Sequence, residues 1–192
     1  MRYILGVLGV VLVAFLAIIL ITTHGPSNDG SANSPKKPAG INLFDYDNGD
    51  SAVKMTIQGR LVGEDQRQAI RVTVTQSQRH IDMLSGYEEN ASKSETFPNT
   101  PAAYSTLLHA LNNANFTKKR KGITDDERGT CPTGNRYIYE LKKGNDQVQR
   151  LWAASCATGE GTFAGNGSLI RDMFRAQVPD YDTFLSDSHF NF

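Results

Sequence analysis

Residues 159–168, Gly-Glu-Gly-Thr-Phe-Ala-Gly-Asn-Gly-Ser, are the stretch best suited to holding a ligand. They join an expected strand to an expected helix start, where free backbone N–H groups and the helix dipole attract anions. Gly161, Thr162, Gly165, Asn166 and Ser168 are the candidate ligand residues. The spacing is not G-x-G-x-x-G and no Walker lysine follows, so a nucleotide is not implied. The alternative is a loop whose glycines serve only to shape it around Phe163.

A second candidate is electrostatic. Lys118-Lys119-Arg120-Lys121 is the densest charge run, and outside a cell it suits anionic lipid or an anionic wall polymer. Asp125-Asp126-Glu127 follows closely and offsets it, so a solvated loop is the competing reading. Asp45-Tyr46-Asp47-Asn48-Gly49-Asp50 resembles the opening of a calcium loop. An EF-hand needs Gly sixth and Glu twelfth, whereas here Gly is fifth and Thr56 twelfth, so a turn is expected instead. His24, His80, His109 and His189 show no H-E-x-x-H spacing, and no G-x-S-x-G occurs. The sequence therefore implies no catalytic residue, no metal and no cofactor.

Cys131 and Cys156 are the only cysteines. They are not C-x-x-C and lack a second pair or a nearby His, which argues against a redox or metal site and leaves a disulfide or two buried thiols. A disulfide is the expectation, closing a loop of about 25 residues for roughly 3 kcal/mol and implying an oxidising compartment.

That compartment agrees with the first residues of the chain. Ile4 to Ile21 are all apolar or Gly, long enough to span a hydrocarbon core as a helix. A cleaved signal peptide would have a shorter apolar region and a small-x-small site, and neither is present. Residues 1–22 are thus expected to be an uncleaved transmembrane anchor. Arg2 precedes it and Lys36-Lys37 lie well beyond, so the amino terminus should be cytoplasmic and the bulk outside. Residues 23–40, rich in Gly, Pro, Ser and Asn, should be a flexible linker. Residues 41–192 then form one extracytoplasmic domain, enough for one core.

Among 192 residues, 20 basic and 20 acidic side chains balance, which excludes a dedicated nucleic-acid binder. Only Arg2 lies in the anchor, so the remainder carries 19 basic against 20 acidic residues, a net of −1.

Within the domain, period-two alternation predicts strands at Val53-Met55-Ile57, Ile70-Val72-Val74 and Ile81-Met83, a meander with a turn at Gly63-Glu64-Asp65. Asn42–Tyr46 reads as another short strand and Ser85–Asn99 as a polar loop. Thr100-Pro101 starts a helix with Tyr104, Leu107, Leu108 and Leu111 on one face. Arg136–Leu141 and Val148–Ser155 read as a hairpin turning at Gly144-Asn145, with Lys143 facing Asp146, Leu141 facing Val148 and Tyr137 facing Trp152. Ser168 caps a second helix carrying Leu169, Ile170, Met173 and Phe174, and Asp180 caps a last short one. The expected fold is α+β: an antiparallel sheet, made of a meander plus a disulfide-closed hairpin, packed by two helices.

CPTGNRYIYEL, WAASC and GTFAGN, followed by LI and QVPDY, resemble uncharacterised single-span membrane-anchored exported proteins of candidate-phylum bacteria. The resemblance covers the last third of the domain and implies the anchored, exported topology. No activity is attached to such proteins, so it implies none here. The functional expectation is a membrane-anchored binding or interaction protein of the cell envelope, partnered by an envelope protein or an anionic wall polymer. A structural subunit of a membrane complex and an exported hydrolase with dispersed residues are the alternatives.

Overall fold

Among the described residues, six strands and three helices follow the order the alternation and capping signals suggest, with one expected strand replaced by a turn and one expected loop by a strand. The computed structural model describes residues 40–120, 124–156, 161–186 and 188. The anchor, the linker up to residue 39, Lys121 and Gly159-Glu160 lie outside the described residues. Among the described residues no helix is long and apolar enough to cross a membrane.

The strands are β1 (Ser51–Gln58), β2 (Gln68–Thr75), β3 (Gln78–Ser85), β4 (Asn90–Pro98), β5 (Arg136–Lys143) and β6 (Asp146–Ala154). The helices are α1 (Pro101–Asn113), α2 (Gly167–Arg175) and α3 (Tyr181–Phe184). All strand pairs are antiparallel, in the spatial order β4-β3-β2-β1-β5-β6. The meander thus grows outward from one side of β1, and the β5–β6 hairpin adds to the other.

One face of the sheet carries the core. Val53, Met55, Ile57, Ile70, Val72, Val74, Ile81 and Met83 join Tyr139, Leu141 and Leu151 there, against Leu107, Leu108 and Leu111 of α1. Phe116, Phe163, Ile170, Phe174, Tyr181 and Phe184 complete the same cluster, so all three helices contribute to one face. Thr100 Oγ1 accepts from the Ala103 N–H at 3.2 Å, the expected cap, with Pro101 beginning the helix.

Four local expectations are corrected. Leu43–Tyr46 is a 3-10 turn rather than a strand, because the Asn42 side chain accepts from the Phe44 N–H and closes the backbone locally. The polar stretch after Ser85 contains β4, an edge strand exposed along most of its length. Its ladder bonds to β3 hold it, and a strand wet on both faces leaves no apolar alternation to read. Asn166, not Ser168, caps α2, accepting from the Leu169 N–H at 3.1 Å, and Leu169 is exposed. Asp180 precedes α3 with φ 52° and no capping bond from its side chain.

The hairpin is the most consequential correction. Lys143 does face Asp146, but the register shifts between Leu141 and Lys142. Leu141 then faces Gln149, Tyr139 faces Leu151, Ile138 faces Trp152 and Tyr137 faces Ala153. In the unshifted register Tyr139 would face Arg150, placing a guanidinium on the core face. The bulge turns Leu151 inward and Arg150 outward, because a one-residue slip exchanges the two faces. Beyond the open end of the hairpin, Cys131 and Cys156 form the expected disulfide.

Candidate functional site

The side of the sheet opposite the helices is polar, and the strand register sorts it into rows. One row runs Arg150, Glu140, Lys54, Thr73, His80, Thr96. The next runs Trp152, Ile138, Thr56, Arg71, Asp82, Ser94. Each residue lies beside its neighbour across the ladder, where opposite charges and hydroxyls stabilise one another by roughly 0.2–1 kcal/mol per pair.

The charges are used in pairs. Lys54 Nζ lies 3.2 Å from Glu140. Arg71 bonds Glu89, which also accepts from Gln58 Nε2 at 2.8 Å. Arg150 grips Glu127 with both terminal nitrogens, one at 2.8 Å. Burial pushes the Glu127 carboxyl up, yet the bonds from Arg150 and from its own backbone hold it below its ordinary value. The same bond raises Arg150 above its ordinary value.

The segment after residue 124 covers the β6 end of this face. Trp152 is buried beneath it and donates Nε1–H to the Thr124 carbonyl at 3.2 Å. Lys54, Thr73 and His80 remain half-buried. At the β4 end, His80 Nδ1 lies 2.7 Å from Thr96 Oγ1, and its Nε2 lies 2.8 Å from Asp82 Oδ1. Ser94 Oγ donates to the same carboxylate oxygen at 2.6 Å. In neutral imidazole the carboxylate fixes the proton on Nε2 and leaves Nδ1 to accept from the hydroxyl.

The lower end of the face holds two buried guanidinium groups. Arg67 is 3% exposed and Arg136 is 1% exposed. Both donate to one carbonyl, that of Gly59, at 2.9 and 2.7 Å, and Arg136 also reaches the Thr130 carbonyl at 3.3 Å. Burial lowers both below their ordinary values, and for Arg136 the neighbouring charge of Arg67 adds to the effect. The Tyr87 ring lies over Arg67, 5.1 Å from ring centroid to guanidinium carbon.

The expected ligand loop is tied to its neighbours by backbone bonds and close contacts. Gly161 bridges to Ala153 at φ 129°, and a Cβ there would come within 2.3 Å of the Trp152 carbonyl oxygen. Thr162 is buried, accepting from the Trp152 N–H at 3.0 Å and, through its carbonyl, from the Arg120 N–H at 2.6 Å. The N–H groups of Phe163, Ala164 and Asn166 donate to Trp152, Lys118 and Ala114 carbonyls, all at 2.9 Å. Gly165 lies against the Asn115 carbonyl, and Ser168 is exposed in the first turn of α2. The N–H groups of Phe163, Ala164, Asn166 and Leu169 are thus engaged within the fold.

Of the basic run, Lys118, Lys119 and Arg120 are exposed, and Lys119 pairs with Asp125 at 2.9 Å and bridges to Phe163 through its backbone. The structure therefore joins the two candidate segments along one short ladder. The Asp45–Asp50 stretch closes as a turn, with the Asn48 side chain accepting from the Asp50 N–H. Among the described residues no group of three His, Cys, Asp or Glu is placed to hold a metal ion. The sheet rows and the Arg67–Arg136 pair were missed from sequence, although the polar positions of the alternating strands carried the signal for the rows. No family model matches the chain, and no curated protein matches it either.

Proposed function

We propose that this chain is a membrane-anchored, extracytoplasmic binding protein of the cell envelope that presents the helix-free face of its sheet to a partner. The carrying observation is the one-sided packing. Three helices join the core on one face, and the other bears ordered rows of charges and hydroxyls. Residues on rigid strands hold a binding surface with little entropy left to lose. The apolar run at Ile4–Ile21, the linker and the disulfide support the exported location. The basic run Lys118, Lys119, Arg120 and Lys121, of which the first three lie beside the 161–168 loop, supplies a secondary contact for an envelope protein or an anionic wall polymer.

Site-specific photo-crosslinking in intact cells tests this reading. A probe at Thr73 on the open face should trap a discrete partner, and one at the exposed Thr106 of α1 should not. Equal trapping from both, or trapping from Thr106 alone, refutes it. A structural subunit would instead show a large native mass in detergent.

The hydrolase alternative draws on the Thr96–His80–Asp82 chain, in which the imidazole could act as base toward a hydroxyl. Labelling of Thr96 by a fluorophosphonate probe would favour it, and an unlabelled protein would count against it.

A further inference from the structure

We propose that Arg67 and Arg136 form a binding site for an oxyanion group, phosphoryl or carboxylate, entered beneath the Tyr87 ring at the lower end of the open sheet face. The inference goes beyond the proposed binding face, because it needs no partner on the rest of the sheet.

Its basis is charge that the fold buries without neutralising. Both guanidinium groups are almost wholly inaccessible, and among the described residues no carboxylate lies within 4.0 Å of either. Both donate to the Gly59 carbonyl, so their donating nitrogens stand within two hydrogen-bond lengths of each other. Each also keeps a buried Nε–H with no bonding partner. Buried guanidinium groups normally pair with carboxylates, since a carbonyl offers only a partial charge against the loss of water.

The nearby carboxylates are committed elsewhere. Glu89 is held by Arg71 and Gln58, Glu127 by Arg150, and Glu64 by the Tyr87 N–H. Moving any of them to the pair would break its present bond. An oxyanion instead matches what the pair offers, because guanidinium presents parallel N–H groups to two oxygens.

Access is local. Tyr87 is 47% exposed and stands on the turn after β3, with its hydroxyl donating to the Val62 carbonyl at 2.9 Å. The ring stacked over the Arg67 guanidinium thus belongs to a turn and not to a strand of the sheet, so its movement is the proposed route of entry.

The test uses the full-length chain in nonionic detergent, with arginine Nε–Hε resonances read by NMR. Inorganic phosphate, glycerol phosphate and acetate are titrated, each against chloride of equal ionic strength. Saturable shifts of the Arg67 and Arg136 resonances are expected for at least one oxyanion. A response to glycerol phosphate assigns the site to a phosphoester, as in a headgroup or polymer. A response to phosphate alone assigns it to the free anion, and one to acetate alone to a carboxylate ligand. Arg67→Met should weaken binding about tenfold or more, the loss of one charge-assisted bond. Resonances that move no more than in chloride overturn the proposal, as does an unchanged affinity in the variant. If the variant does not fold, the wild-type titration still decides.

Discussion

Removing the disulfide should cost this domain a measurable and divisible share of its stability. The Cys131–Cys156 bridge spans 25 positions. Chain entropy for a loop of that length gives ~3.5 kcal/mol at 25 °C. Cys131 also sits at φ 46°, a left-handed conformation that costs an L-residue ~1 kcal/mol or more and costs glycine almost nothing. The double variant Cys131→Ala/Cys156→Ala keeps that strain, and Cys131→Gly/Cys156→Ala relieves it. The first should therefore lose ~3.5 kcal/mol, and the second ~1 kcal/mol less. Urea unfolding of the full chain in nonionic detergent reads both, because Trp152 is the only tryptophan and is buried in the domain. At a slope of ~2 kcal/mol per molar urea, the alanine variant's midpoint should fall by about 1.5–2 M. A loss under ~1 kcal/mol would refute the entropic reasoning. A glycine variant no more stable than the alanine one would refute the strain.

Other perturbations separate packing, backbone and charge. Leu108→Ala in α1, fully buried against the sheet, should cost ~3 kcal/mol in the same unfolding assay. Gly161→Ala meets both a φ of 129° and the Trp152 carbonyl, and should cost at least ~2 kcal/mol, whereas Gly144→Asn at φ 57° in open space should change stability by less than ~1 kcal/mol. Glu127 is held below its ordinary 4.5 when folded, so its stabilising charge is present above that value and lost as pH falls through the folded one. Asp126, held at about 2 by its bonds from Arg128, acts in the same direction. Stability should thus decline as pH drops from about 4.5 toward 2, and Glu127→Gln should flatten the upper part of that decline. An unaltered pH profile in the variant would contradict the assignment.

Much of the fold was legible because its signals are local. Alternation at Val53-Met55-Ile57 and Ile70-Val72-Val74 reports strands half-buried against a core, and Thr100-Pro101 marks a helix start by its own hydrogen-bonding chemistry. Even the disulfide followed from location and spacing. β4 was illegible because burial, not backbone pairing, writes the hydrophobic pattern, and an edge strand is wet on both faces. The bulge was illegible for a related reason. Val148, Leu151 and Trp152 do not share one parity, and only a packed sheet decides which of them the core receives.

The candidate site divides along the same line. The 161–168 loop and the basic run 118–121 stood out as compositional features, and the fold employs much of them in holding β6 to the segment after α1. The rows Glu140–Lys54–Thr73–His80 and the pair Arg67–Arg136 unite residues up to 86 and 69 positions apart, which no local window contains. The sequence by itself determined the apolar run, the class of fold, the cysteine pairing and most elements, since propensity, periodicity and capping act over a few residues. The tertiary structure alone decided which sheet face stays polar and which charges share a carbonyl, because register and burial are collective properties of the packed chain.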